Sequence, residues 1–465
     1  MKKIIAICLF ICVLLSCFPV AADDFSDDKS ISKGCNTLDS SVTFYGNQQL
    51  VSNTSAAIVY EVSTDSIIYA YNADLQVAPS SLVKILTALI TLENCELSEV
   101  VTVKGELIAS LSVNAAAIGL EADEVISVES LLYCMLVSSA NDAALVLADH
   151  VMGGHEEFVA EMNKYAAKLG CTGTNFTNSH GLHNDDQYTT VRDITKIIKE
   201  AIKNETLLKM MGTVYYTVPS TNKSYMRYLT SYNYFINNDS TEPYYDRRVL
   251  GGRTGVADDG SRCIATVAED GGMTLISVVT GARSIYEGEN IKVTGGYSET
   301  QQLMDMAFGS YKPAQILFPN QILKQSSVFG AGNDLSIGTY QSAFSVLPNY
   351  IDADDLVYRY IDEPKLSLPI QKGQIMSRVE VWCENVCVAQ ADTYAMNSVN
   401  AASQNNDNGE QNDKVNILSV VLYILGATFG IILLGFIVLS TVRAARLAKV
   451  RRRYRRNSRN RRRSR

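Results

Sequence analysis

The stretch Pro79-Ser80-Ser81-Leu82-Val83-Lys84-Ile85-Leu86-Thr87-Ala88-Leu89 organises the chain. Proline cannot continue a preceding hydrogen-bonded segment and serine is a favoured helix cap, so the pattern predicts a loop breaking into a helix near Ser81. Leu82, Ile85, Leu86, Leu89 and Ile90 form a broad apolar stripe at helical spacing, which calls for burial. Positions three apart share a helix face, so the Ser81 hydroxyl and the Lys84 amine emerge as neighbours. The free N–H groups of a helix start carry partial positive charge and favour an oxyanion there. A serine with an amine beside it at such a point is a candidate nucleophile and base. Ser-x-x-Lys arises by chance on the order of one or two times in a chain this long, so it needs company to mean anything.

Working outward, residues 56–62 and 66–71 flank Ser63-Thr64-Asp65 and predict a hairpin. Residues 127–152 predict a helix over 128–137, a break at Ser138-Ser139-Ala140-Asn141, and a second helix over 142–152. Small polar residues caught between two apolar helices need a reason. Further helices are expected over 156–169, ending at Gly170, and over 190–202. Residues 213–247 are rich in Tyr and Asn with little period. The runs 250–256, 263–268 and 274–279, separated by turn residues including Asp270-Gly271-Gly272, predict an antiparallel sheet, and 298–308 a last helix. Strands at both ends with helices between define one α/β unit over 56–310, closed by its own two ends. From Tyr311 short β-like runs between Gly, Pro and Asp indicate a small all-β domain over 311–395, and the Asn-, Gln- and Asp-rich 396–416 a flexible linker.

The 465 residues carry a net charge of -8 that hides an asymmetry. The last 23 residues hold 13 Lys and Arg without an acid, and residues 1–22 hold two lysines without an acid, leaving 26 bases against 49 acids between. Such an acidic body excludes nucleic acid as a partner. Residues 1–22 have the layout of a secretory signal, with a second reading of Leu14-Leu15-Ser16-Cys17 as a lipidation box. Residues 23–55 are a polar spacer. Residues 417–442 are an uncharged run long enough to cross a bilayer, and the basic tail 443–465 behind it predicts a single-pass cell-membrane protein with its body outside and tail in the cytoplasm. Cys35, Cys95, Cys134, Cys171 and Cys263 are scattered singly, so most are expected as buried thiols; Cys383 and Cys387 are close but poorly spaced for a bond within one strand. No cysteine and histidine set has zinc-ligand spacing, and neither a metal nor a cofactor is expected.

Ser81-Leu82-Val83-Lys84, Ser139-Ala140-Asn141 and Arg253-Thr254-Gly255 stand in order behind an export signal. Together they resemble the penicillin-recognising serine enzymes, and most closely the low-molecular-weight penicillin-binding proteins, the serine D-alanyl-D-alanine carboxypeptidases. The resemblance extends over about residues 56–394, including Asn178-Ser179-His180-Gly181-Leu182 and Leu368-Pro369-Ile370-Gln371-Lys372-Gly373. It implies a β-lactamase/DD-peptidase-like α/β fold, an antiparallel sheet flanked by helices, followed by the β domain, tether and anchor. It implies that Ser81 attacks the peptide bond between the terminal D-alanines of the peptidoglycan stem peptide, that Lys84 takes its proton, and that Ser139 relays a proton to the leaving D-alanine. Asn141 would hold Lys84 and the substrate amide, and the N–H groups of Ser81 and Val256 the oxyanion. Thr254 and Gly255 would complete the substrate-binding edge, and β-lactam antibiotics would inhibit. The family's third motif begins with lysine; here Arg253 stands there, and its expected work is to attract the substrate's carboxylate. The resemblance places His180 in a structural turn. Tyrosines 215–245 are either a sugar-stacking surface or ordinary exposed loop residues. The alternatives are a class A-like β-lactamase, which needs a deacylating glutamate not found between residues 162 and 199, and a catalytically impaired, membrane-tethered wall-binding module.

Overall fold

In the computed structural model, which describes residues 35–40, 43–239, 241, 243–287 and 290–402, the first hairpin forms as β1 (Ala56–Glu61) and β2 (Ser66–Tyr71). The signal (1–22), the predicted span (417–442), the basic tail (443–465) and most of the linker lie outside the described residues. Among those described, no helix is long and apolar enough to cross a membrane.

A short 3-10 turn at Ser80–Leu82 leads into α1 (Val83–Asn94), whose residues from Val83 to Thr91 are buried. The helix runs through the centre of the largest hydrophobic core, so its apolar surface is covered on every side. The expected serine cap is absent, because the Ser81 hydroxyl is turned to other partners. Then come β3 (Val100–Thr102), α2 (Gly105–Ala109) and β4 (Val125–Ser127), β3 pairing with β4. The helical lobe continues with α3 (Val128–Val137), α4 (Asn141–Met152), α5 (His155–Lys168), α6 (Val191–Ala201) and α7 (Glu205–Met211). Helix α3 is capped by the Ser127 side chain, α6 by Thr190 and α7 by Asn204.

The tyrosine-rich region, which showed little period, contains the hairpin β5 (Tyr215–Val218) and β6 (Arg227–Thr230). After it come β7 (Val249–Val256), β8 (Arg262–Asp270), β9 (Met273–Ala282), the small ribbon β10 (Ile285–Glu287) and β11 (Asn290–Val293), and α8 (Tyr297–Ser310). The main sheet has the order β2-β1-β9-β8-β7. Its first-made strand therefore pairs with its last, Ile58 opposite Val278, as a unit closed by its two ends requires. Alternate residues serve opposite faces: Ile58, Ile276 and Val278 pack under the helical lobe, while Val59, Leu275 and Val279 pack with Leu303 and Ala307 of α8. Strands β2 and β7 are its edges, and the β7 edge faces the cleft described below.

Residues from Tyr311 onward form β12 (Tyr311–Leu317), β13 (Gln321–Ser326), β14 (Leu335–Thr339), β15 (Ala343–Pro348), β16 (Val357–Ile361), β17 (Ile375–Cys383) and β18 (Val386–Ala395). Five of them make a sheet of order β13-β14-β18-β17-β16, and β12 pairs with β15. Val346 and Tyr311 share a core with β1, β2 and α8, so this part is packed onto the first, and the described chain forms one compact unit.

Three differences from the sequence reading concern the chain ends and the cysteines. From Cys35 the spacer is packed down, with Asn36, Leu38 and Val51 buried. Residues 396–402 are likewise held, Val399 being buried and bridged to Ile370. Cys387 bonds to Cys35 across 352 positions of sequence, so Cys35 is not a single thiol. Cys134, Cys171, Cys263 and Cys383 are buried thiols and Cys95 is half-buried.

Candidate active site

Three chain segments meet at a cleft of about 500 Å³. The first is the 3-10 turn before α1. Ser80 there has φ of +48°, a left-handed conformation that costs a non-glycine residue roughly 1–2 kcal/mol. The surroundings impose it: a Cβ on Gly181 would stand 1.9 Å from the Ser80 carbonyl oxygen, and one on Gly255 would stand 2.8 Å from both Ser80 Cβ and Ser81 N. The Ser81 turn is thus clamped between a loop and the edge strand, both of which approach it as only glycine allows.

The second segment is the break between α3 and α4, and its polar residues now have their reason. Ser139 is also left-handed, with φ of +62°, which swings its hydroxyl into the cleft 3.0 Å from Ser81 Oγ. Asn141 opens α4 and places Oδ1 2.7 Å from Lys84 Nζ. Asp142 beside it accepts the N–H groups of Ile118, Leu120 and Ala143, fastening the loop that carries cleft residues Asn114 to Ala116.

Lys84 is fully buried on the first turn of α1. Its Nζ lies 3.2 Å from Ser81 Oγ and also contacts Asn141 Oδ1 and the His180 carbonyl. Burial, and next the Arg253 charge, hold its pKa well below the ordinary lysine range, with Asp142 pulling the other way. A neutral amine has two N–H donors and one lone pair. In that form Asn141 Oδ1 and the His180 carbonyl would take the two donors and leave the lone pair for the Ser81 hydroxyl. His180 itself is a turn residue: Leu182 N–H donates to its ring and Gly181 N–H to Asn178 Oδ1. Burial, Lys84 and His155 push its pKa down to about 3, so the ring is neutral at working pH.

The third segment is β7. Arg253 is buried, with Nη1 donating to the Leu136 carbonyl in the last turn of α3 at 2.6 Å and Nε lying 3.4 Å from the Ser81 carbonyl. Its Nη2 is buried without a partner, and burial lowers its pKa to about 10, so it stays charged at neutral pH. Thr254 is half-buried, Gly255 packs on Ser81, and Val256 is exposed at the strand's end. Ser81, Ser139, Asn141, Arg253, Thr254, Gly255 and Val256 all line the cleft, and Lys84 lies beneath Ser81. Sequence reasoning missed the His180 carbonyl, which no side-chain motif reveals, and Arg262, a cleft residue whose position follows only from the β7–β8 register. Away from the cleft, Cys95, Glu99 and His150 bring ligand atoms within 4.8 Å of one another; the 3.0 Å hydrogen bond between Glu99 and His150 accounts for part of that grouping.

A cleft that holds a serine hydroxyl beside a buried amine of depressed pKa, along the edge of a sheet, has the makings of a serine-type acyl-transfer hydrolase. The chain belongs to the D-alanyl-D-alanine carboxypeptidase family, whose profile matches residues 45–284. It is 28% identical over 360 residues to the D-alanyl-D-alanine carboxypeptidase DacF of Bacillus subtilis, covering 74% of this chain and 87% of that one. It is 25% identical over 358 residues to DacC of Escherichia coli, also a D-alanyl-D-alanine carboxypeptidase, covering 74% and 84%. The fold is that of the D-alanyl-D-alanine carboxypeptidase DacD from Francisella tularensis, with a TM-score of 0.64 and 21% identity over 77% of this chain and 96% of that one. Penicillin-binding protein 5 from Haemophilus influenzae gives a TM-score of 0.59 at 24% identity, over 76% and 99%.

Proposed function

We propose that Ser81, Lys84, Ser139 and Asn141 carry the reaction of this serine D-Ala-D-Ala carboxypeptidase, which removes the terminal D-alanine from peptidoglycan stem pentapeptides. The observation that carries this assignment is the hydrogen-bond set around Lys84, which leaves its lone pair for Ser81 Oγ. The substrate lies along the free edge of β7. Ser81 Oγ attacks the carbonyl of the penultimate D-alanine as Lys84 takes its proton, a general-base contribution of about 10²–10⁴ in rate. The Ser81 and Val256 N–H groups hold the tetrahedral oxyanion. Ser139, in contact with Ser81, gives its hydroxyl proton to the leaving amine and regains one from Lys84, which returns to the neutral form; the C–N bond breaks, D-alanine departs and the ester on Ser81 remains. Water, deprotonated by the same base, then releases the shortened peptide.

A β-lactam presents a similar strained amide and acylates the same serine. Rapid turnover of that ester needs a further base, and among the described residues no glutamate lines the cleft. The signal at 1–22 and the apolar run 417–442 with its basic tail support a body held outside the cell by a single C-terminal anchor.

The test is incubation of the purified full chain, in detergent, with a stem pentapeptide ending in D-Ala-D-Ala, following D-alanine by mass spectrometry. Release that vanishes in Ser81→Ala is expected, together with a stable penicilloyl adduct on Ser81. Absence of both release and adduct would mean a wall-binding module, and rapid penicillin hydrolysis a β-lactamase.

A further inference from the structure

Cys95, Glu99 and His150 gather at the far end of two helices whose near ends meet in the cleft. Helix α1 carries Lys84 in its first turn and ends at Asn94, with Cys95 as its C-cap. Helix α4, which packs against it, opens with Asn141 and carries His150 in its last turn. Glu99 stands just before β3, in the turn that follows Cys95. One ligand atom from each of the three lies within 4.8 Å of the other two. Sequence spacing does not reveal the group, because Cys95 and His150 belong to different helices that only the fold brings together.

The donors are a thiol, an imidazole and a carboxylate, all of which zinc takes, and a thiolate and a carboxylate balance the ion's two positive charges. Bonds of about 2.0–2.3 Å at tetrahedral angles put neighbouring ligand atoms about 3.3–3.6 Å apart. Glu99 Oε2 and His150 Nε2 are already 3.0 Å apart, and Cys95 has to close in by about 1 Å. The supports of such a site are in place. Glu99 Oε1 accepts the Glu96 N–H at 2.6 Å, which leaves Oε2 to face His150. The Glu99 carbonyl accepts Val128 N–H at 2.9 Å and the Leu97 carbonyl accepts Glu129 N–H at 3.0 Å, so the turn is fastened to the start of α3. Asp149 beside His150 is taken up by Lys104 at 2.7 Å. All three ligand residues are half-buried, open enough for an ion to enter. The Glu99–His150 hydrogen bond leaves the place of Cys95 unexplained. Among the described residues Cys95 is the one free thiol that is not buried, and on an exported body such a thiol is open to oxidation unless something holds it.

We propose that Cys95, Glu99 and His150 form a zinc site, with water as the fourth ligand, that staples the end of α1 to the end of α4. On binding, Cys95 releases its thiol proton to solvent and ligates as the thiolate, and two bonds to the ion replace the Glu99–His150 hydrogen bond. The ion does no chemistry at the cleft: eleven helical steps separate Cys95 from Lys84, about 17 Å. Its effect is on the scaffold, fixing the far ends of the two helices that hold Lys84 Nζ and Asn141 Oδ1 2.7 Å apart. The site stands on this geometry alone and is independent of the carboxypeptidase assignment.

The test uses the purified full chain in detergent, stripped with a chelator and kept free of oxygen. Cobalt(II), a coloured stand-in for zinc, should bind once per chain with a thiolate-to-cobalt absorption band, and zinc should displace it. Cys95→Ser should abolish the band, while Cys171→Ser, which removes a buried thiol, should keep it. His150→Gln should weaken binding by more than the about 10–100-fold that loss of a merely supporting group costs. Circular dichroism checks that each variant is folded. Two measurements on wild type need no variant: zinc should suppress alkylation of Cys95, mapped by peptide mass spectrometry, and should raise the thermal unfolding midpoint as its concentration rises. A band that survives in Cys95→Ser would put the ion elsewhere and overturn the proposal. Alkylation of Cys95 at the same rate with and without saturating zinc would overturn it too, and neither result touches the carboxypeptidase assignment.

Discussion

The base role proposed for Lys84 depends on neighbours that make its charged form expensive. Burial is the larger effect and the Arg253 guanidinium the next, both disfavouring the ammonium, with Asp142 opposing them. The substitution of arginine for the family's lysine therefore keeps the charge that Lys84 requires, and keeps it at any working pH, since Arg253 stays protonated up to about 10. Replacing Arg253 by Gln removes the charge but retains an amide donor for the Leu136 carbonyl. The Lys84 pKa should then rise, and because the neutral amine is the active form, the acid limb of the kcat/KM profile should move to higher pH. Arg253→Lys, which restores a cation, should move the limb back. A limb in the same place for wild type and Arg253→Gln would show that Lys84 does not feel this charge.

Among the elements, the 3-10 turn at Ser80–Leu82 is held in place by two glycines from elsewhere in the chain. A methyl group on Gly255 would meet Ser81 N at 2.8 Å, inside normal contact, and the nearest atoms are backbone and Cβ rather than a flexible tip. Gly255→Ala should therefore push β7 away from the nucleophile. A displacement of this kind costs about 100-fold in kcat/KM, while overpacking costs about 1–3 kcal/mol in stability. Penicillin acylation of the variant by stopped-flow, read beside its urea unfolding curve, separates the two effects; an acylation rate equal to wild type would mean that the edge strand gives way without consequence. The sequence foretold this element only in part. Apolar periodicity and turn residues marked α1, α3, α4, α5, α6 and the strands β1, β2, β7, β8 and β9 within a few residues, because those elements bury a regular stripe or alternate across a sheet. It missed the β5–β6 hairpin, whose strands are four residues each and put tyrosines on both faces, Tyr215 and Tyr228 in solvent and Tyr216 against the core beside Val218 and Leu229, so that little alternation shows in the sequence. The serine cap failed as an expectation because the hydroxyl has better partners in Ser139 and Lys84. The His180 carbonyl was invisible in principle, since any residue at that position carries one.

Across the whole molecule, long-range pairing determines what the chain ends do, and the disulfide is the clearest case. Cys35 was unreadable as a partner for Cys387 because the bond depends on the N-terminal segment crossing to the second sheet, a path that local spacing does not encode. Other contacts follow the same path: Ile67 N–H donates to the Asn36 carbonyl at the edge of β2, and Ser345 of β15 donates to Asn36 Oδ1 at 3.2 Å. The bond thus ties the start of the described chain to the β part, and neither Cys35 nor Cys387 is among the residues lining the cleft. Closing so long a loop restricts the unfolded chain more than the folded one, a stabilisation of about 2–4 kcal/mol in typical cases. An exported protein keeps such a bond, whereas a reducing compartment would not. Cys35→Ser, or wild type held in dithiothreitol, should lose about that much stability in urea titrations, with D-alanine release at 25 °C unchanged. If reduction leaves the unfolding midpoint where it was, the hydrogen bonds of Asn36 hold the segment on their own; if it abolishes release, the β part and the cleft are coupled through a route that their geometry does not suggest.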